Sequence, residues 1–170
     1  DLIFSSYPLI TKSGFYNNYD FIIKNSNTDT ENSNNYKENE NYYFSSLFQY
    51  NSSLPLIKEN ESYQNILKPK LALKISPENN TKNLSEEEIR LDTNNIYNLE
   101  RLSSNDTIES GLSITYGNDF KIYDKSNSRD LFTLKLANNL RLNENSDLPK
   151  TNQLHKKTSD FFGGITFNPN

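Results

Sequence analysis

The sequence predicts an all-β fold, a segment of an antiparallel up-and-down transmembrane β-barrel with about seven long strands that form part of a larger barrel. Three observations carry this expectation. First, "TIESGLSITYGNDFKI", residues 107–122, places Ile108, Leu112, Ile114, Tyr116, Phe120 and Ile122 on even positions, with Glu109, Gly111, Ser113, Thr115, Gly117, Asp119 and Lys121 on odd ones. Period two is the strand period, and this run is more than twice the usual strand length of about 5–6 residues. Second, the alternation recurs along the chain. Third, the connections between alternating segments are long and short in turn, as in barrels with long loops at one rim and short turns at the other. So long a strand is favoured where one face meets lipid and the other a wet interior, since crossing takes about 9–11 tilted residues.

In chain order, "LIFSSY" at the start is the first candidate strand. The next, at 15–25, sets Tyr19, Phe21 and Ile23 on one face, and the one at 41–51 does the same with Tyr42, Phe44, Phe48 and Tyr50. The alternation is sharpest at 66–76, where Leu67, Pro69, Leu71, Leu73 and Ile75 oppose Lys68, Lys70, Ala72, Lys74 and Ser76. Pro69 lacks a ladder donor and reads as a strand start. Strands follow at 107–123, at 131–142, where Phe132, Leu134, Leu136, Leu140 and Leu142 oppose Thr133, Lys135, Ala137, Asn139 and Arg141, and at 159–168. Long loops at 26–40, 77–106 and 143–158 fall on one side, and short turns at 52–63 and 124–129 on the other. "SSYPLITK" at 5–12 and "SSLPLIK" at 52–58 echo each other across two strands and a loop. Tyr16, Tyr50, Tyr63, Tyr123, Phe132 and Phe167 sit near the short turns, where a barrel carries an interfacial aromatic girdle; tyrosine is also simply common in strands.

Composition narrows the classes. Only 33% of the 170 residues are hydrophobic, which alone leans toward a solvated chain, but 11 Tyr and 10 Phe fall mostly inside the alternating segments. No apolar run approaches the roughly 18 residues of a transmembrane helix. The chain opens at Asp1 and contains no Met, so a processed chain or a piece of a longer one is expected. With no Cys, disulfides, thiolate metal sites and cysteine nucleophiles are excluded together. A net charge of −4 proposes no nucleic acid partner. The lone His155 lies in a polar loop, "SEEE" at 85–88 has no metal-ligand spacing, and no nucleophile and base pair is apparent, so neither a cofactor nor an enzyme activity is expected.

The stretches "NIYNLERLSSNDTIESGLSITYGNDF", "LANNLRLNENSDLP" and "KKTSDFFGGITFNP" resemble the barrel domain of the LPS-assembly protein family LptD, also called OstA or Imp. The pattern runs through Leu99, Arg101, Leu102, Ser103 and Asp106 to Glu109, Gly111, Tyr116 and Gly117, then Leu140 and Arg141, then Ser159, Asp160 and Gly163; "SSLPLI" and "LKPKLALKISP" fit upstream. The resemblance implies an outer-membrane barrel plugged by an LptE-like lipoprotein. Such a barrel receives lipopolysaccharide from periplasmic bridge components and releases it into the outer leaflet among the outer-membrane lipid. The family often carries disulfides, and this chain departs from it in having no Cys.

With the apolar face outward, the inner wall of this piece is basic. Lys68, Lys70, Lys74, Ser113, Thr115, Lys135 and Arg141 are the candidate contacts for anionic lipopolysaccharide headgroups, against the alternative of a generic solvated lumen of mixed charge. Arg101, Asp106 and Glu109 form a candidate loop motif. An Arg101–Asp106 contact would let the longest loop fold inward as a lid, whereas a solvent-exposed pair would contribute under about 1 kcal/mol. A different outer-membrane barrel, porin or adhesin, and a soluble β-sheet binding module are the competing readings.

Overall fold

The computed structural model describes residues 1–28, 41–77, 82–102 and 107–169, the side chains at 28 and 41–43 apart. Among them lie the strands β1 (Leu2–Ser5), β2 (Leu9–Ile10), β3 (Tyr16–Thr28), β4 (Asn41–Ser53), β5 (Leu56–Glu59), β6 (Tyr63–Ser76), β7 (Gly111–Asp124), β8 (Arg129–Arg141) and β9 (Phe162–Phe167). They form one antiparallel sheet in the order β1-β3-β4-β6-β7-β8-β9, with β2 continuing beside β3 and β5 beside β6. Nine strands therefore occupy seven lanes, and the sheet stays open between β1 and β9. An open sheet cannot stand alone in lipid, because its edges would leave backbone groups unpaired.

Two lanes are interrupted, and proline is the cause in both. Ser53 pairs with Lys70 and Leu56 with Leu67, so the register runs unbroken across the gap. Within the gap Leu54 N–H donates to the Pro69 carbonyl at 3.2 Å, but Pro69 has no N–H to return, and Pro55 lacks a donor as well. Pro69 is therefore not a strand start, as the pattern suggested, but the seventh residue of β6, facing the break in its neighbour. In the first lane the break falls at Pro8, and the pairing shifts by one residue between Ser5–Asp20 and Leu9–Asn17. The echo between residues 5–12 and 52–58 marks these two interruptions.

Other boundaries move for local reasons. The expected turn at 52–63 contains β5, so the chain reverses only at 60–62, where the Asn60 side chain accepts from the Ser62 and Tyr63 amides. The strand expected from 107 begins at Gly111, whose φ of +90° turns residues 107–110 away from the sheet. Tyr50 is not beside a turn, since β5 extends its lane, and Tyr16 lines an inner cavity. Tyr63 and Phe132 remain at the short-turn end, with Phe132 opposite Phe167.

Burial is inverted relative to a water-soluble sheet, whose apolar face would pack on a core. Leu67, Leu71, Ile75 and Leu140 are each 40% exposed, whereas Ala72, Thr115 and Asn139 on the other face are 0% exposed. The polar face is covered by the described parts of two long connections, 82–102 with 107–110, and 142–161. Leu84, Leu91, Ile96 and Leu102 from the first pack with Leu148 and Leu154 from the second, on Ala137 and Phe162 of the sheet. Leu84 N–H donates to the Asp147 carbonyl at 2.8 Å and Asn152 Nδ2 to the Ile89 carbonyl at 2.9 Å, so the two connections form one cap. A second cluster, Ile22 and Leu47 of β3 and β4 with Ile108 and Leu99, seats its other end.

Candidate functional site on the inner wall

Strand register assembles the site. Lys74 of β6, Ser113 of β7 and Arg141 of β8 are direct partners across three lanes and form one row on the inner face. The next row is Ala72, Thr115 and Asn139. Side chains of one parity share a face, so the alternation that builds the strands also places these groups together.

The cap inserts Arg101 and Glu109 into these rows. Arg101 Nε donates to Glu109 Oε2 at 2.6 Å and Nη2 to Oε1 at 2.5 Å, a bidentate pair. The same guanidinium reaches Thr115 Oγ1 at 2.9 Å, Asn139 Oδ1 at 2.9 Å and Ser113 Oγ at 3.2 Å. Arg141 Nη1 donates to Glu109 Oε1 at 2.6 Å, and its Nη2 to the Ser110 carbonyl. Lys74 Nζ lies 3.8 Å from Glu109 and donates to the Asn98 and Leu99 carbonyls at 2.5 and 3.0 Å. Beside this cluster Lys24 pairs with Glu100.

Three basic side chains thus surround one carboxylate out of water. Burial alone would raise the Glu109 carboxyl, but Arg101, Lys74 and Arg141 outweigh it and hold it well below the usual carboxylate range. A buried pair of this kind is weak evidence for net stability but strong evidence for geometry, because removing one partner strands the other.

Tyr97 closes the cap on its other side. A Cβ at Gly117 would overlap the Leu136 carbonyl oxygen and the Tyr97 hydroxyl, so only glycine admits this ring over β7. Lys70 Nζ stands 4.3 Å from the Tyr97 ring centroid and 2.9 Å from Asp119, and Gln49 Nε2 donates to the Tyr97 carbonyl at 2.8 Å. Next to Tyr97 opens a cavity of about 760 Å³ lined by Lys68 and Lys70 with Asp20, Asn51 and Glu100 among its polar groups.

The residues singled out by the alternation divide into two sets. Lys74, Ser113, Thr115 and Arg141 are brought together and covered by the cap. Lys68 and Lys70 line the open cavity, and Lys135, farther along the wall, donates to Asn94 Oδ1 at 2.8 Å. In the loop motif Arg101 pairs with Glu109, and Asp106 lies outside the described residues. Sequence reasoning gave no role to Asn139, Tyr97 or the Lys24–Glu100 pair. Asn139 was readable as an inward polar residue in register with Thr115, while Tyr97 carried no signal, since nothing local marks a loop tyrosine that will lie against a glycine.

No curated protein matches the chain. A family model described as LptD, LPS transport system D, matches residues 2–170. Matched along essentially its whole length, and all-β with an apolar outer face, the chain belongs to the LptD family of outer-membrane proteins.

Proposed function

We propose that the chain forms an interior portion of the outer-membrane barrel that inserts lipopolysaccharide into the outer leaflet, with its inner wall guiding the anionic part of the lipid. The supporting observation is the inverted burial: apolar side chains are open on one face while Lys68 and Lys70 border a polar cavity on the other. Phosphorylated headgroups and acidic sugars are attracted to such a wall through charge-assisted bonds. On this reading the long connections face the outside and the short turns the periplasm. The partners are an LptE-like plug lipoprotein and the periplasmic bridge components that deliver lipopolysaccharide. No catalytic step is invoked.

A photo-crosslinking residue at Lys68 or Lys70 in the full-length parent protein, introduced in cells, tests this. Lipopolysaccharide is captured there and not at the outward Leu71. Capture at neither inner position, in a barrel shown to be folded and inserted, overturns the guiding role of this wall.

A further inference from the structure

The covered part of the wall has more donors than its carboxylate can accept. Lys74, Ser113 and Arg141 lie in one row fixed by strand register, and Thr115 and Asn139 stand in the next. These five side chains are carried by strands, although Lys74 and Arg141 also donate to cap carbonyls. Among the described residues, the carboxylate they meet is that of Glu109, supplied by the cap two residues before the Gly111 turn. Among the described residues, Arg141 Nε and Asn139 Nδ2 are buried with no acceptor. A carboxylate brings two oxygens, whereas a phosphate-type anion brings more and is the better match for such a donor set. Buried donors without partners are rare enough to require a reason.

We infer that the Lys74–Ser113–Arg141 row is a cradle for a phosphate-type anion, which the chain fills with its own Glu109 carboxylate until an anionic substituent of the passing glycolipid displaces it. This rests on the transport reading proposed above. Glu109 acts as an internal competitor: displacement takes from Arg101 its carboxylate partner, while the wall residues stay where the sheet holds them. Glu109 and the ligand exclude one another, so the docked carboxylate and the occupied cradle are alternative states.

The test uses the full-length parent protein in detergent, with inorganic pyrophosphate as probe and calorimetry as readout. Glu109→Gln removes the competing charge and keeps the shape; it binds pyrophosphate at least about tenfold more tightly than the unsubstituted protein. Adding Lys74→Gln or Arg141→Gln to that variant abolishes the gain. Heat-modified electrophoretic mobility reports folding, and Glu109→Asp, which keeps the charge but withdraws it from the row, replaces Glu109→Gln if the latter does not fold. No gain in a folded variant, or a gain that survives Lys74→Gln and Arg141→Gln, overturns the cradle. A second arm adds lipopolysaccharide with its phosphates intact or enzymatically removed. Competition by the intact form alone assigns the ligand to the lipid. Pyrophosphate binding with no competition from either form keeps the cradle, makes free phosphate its ligand and counts against the transport reading.

Discussion

Replacing Arg101 by alanine should release the cap without unfolding the sheet. The guanidinium is buried and bonds to both Glu109 oxygens, Thr115, Ser113, Asn139 and the Ile96 carbonyl. Removing one partner of a buried pair costs about 3–5 kcal/mol when the other is left uncompensated. Glu109 keeps Arg141 at 2.6 Å and Lys74 at 3.8 Å, which lowers the loss. A loss of roughly 2–4 kcal/mol corresponds to a shift of roughly 30- to 700-fold in the opening equilibrium of the cap. Hydrogen exchange on the full-length protein reads this directly: amides of 82–102 lose that factor of protection while those of β6 to β8 keep theirs. Arg101→Lys recovers only part of it, since an ammonium cannot make the two-pronged bond. Unchanged exchange in 82–102, or equal loosening of cap and strands, would refute the claim that this residue latches a separable cap.

Other expectations follow from the same geometry. Because the Glu109 carboxyl is depressed in the docked state, its contribution is complete above the ordinary carboxylate pKa of about 4.3, declines below that pH and is lost as the pH falls through the lower folded value. The Glu109 part of the exchange of 82–102, corrected for intrinsic rates, is therefore unchanged from neutral pH to about pH 5 and rises only in stronger acid. Gly117→Ala forces apart the Leu136 carbonyl and Tyr97 and destabilises by about 1–3 kcal/mol, whereas Tyr97→Phe, which removes a hydroxyl without a partner, stays within about 0.5 kcal/mol in denaturant titrations. Pro69→Ala supplies the missing donor to Leu54, and residue 69 becomes a protected amide; rapid exchange there would show that the break has another cause. Leu71→Arg on the open face costs about 2–4 kcal/mol of insertion if it lies near the bilayer midplane, and a neutral result would contradict the outward assignment.

The lanes were readable because each strand obeys one rule, period two, whose signal is local. Leu71, Leu73 and Ile75 against Ala72 and Lys74 required no knowledge of the neighbouring strands. What the rule could not show was depth. Lys74 and Lys70 have the same parity and look alike in sequence, yet one is covered by the cap and the other borders a cavity, because cover comes from residues far along the chain. Thr107 to Ser110 continue the alternation and so read as strand, but Gly111 reverses the backbone at their end and sends Glu109 into the wall. The cap itself was invisible: Leu84, Leu91, Leu148 and Leu154 are spaced irregularly in polar surroundings, and only their meeting across two connections makes a core.

That meeting bears on the order of assembly. Leu84 finds Asp147, and Ser85 finds Lys150, across more than half of the interval between the start of β6 and the end of the chain. Such contacts carry a loop-closure cost that falls steeply only after the intervening strands have paired and brought the loop ends together. The cap also needs Ala137 and Phe162 as its floor. Strand pairing therefore comes first and the cap last, so the charged rows pass through assembly in contact with water, where Lys74, Arg141 and Glu109 are all solvated. Their desolvation is deferred to a final step, when every partner is already in register to receive them.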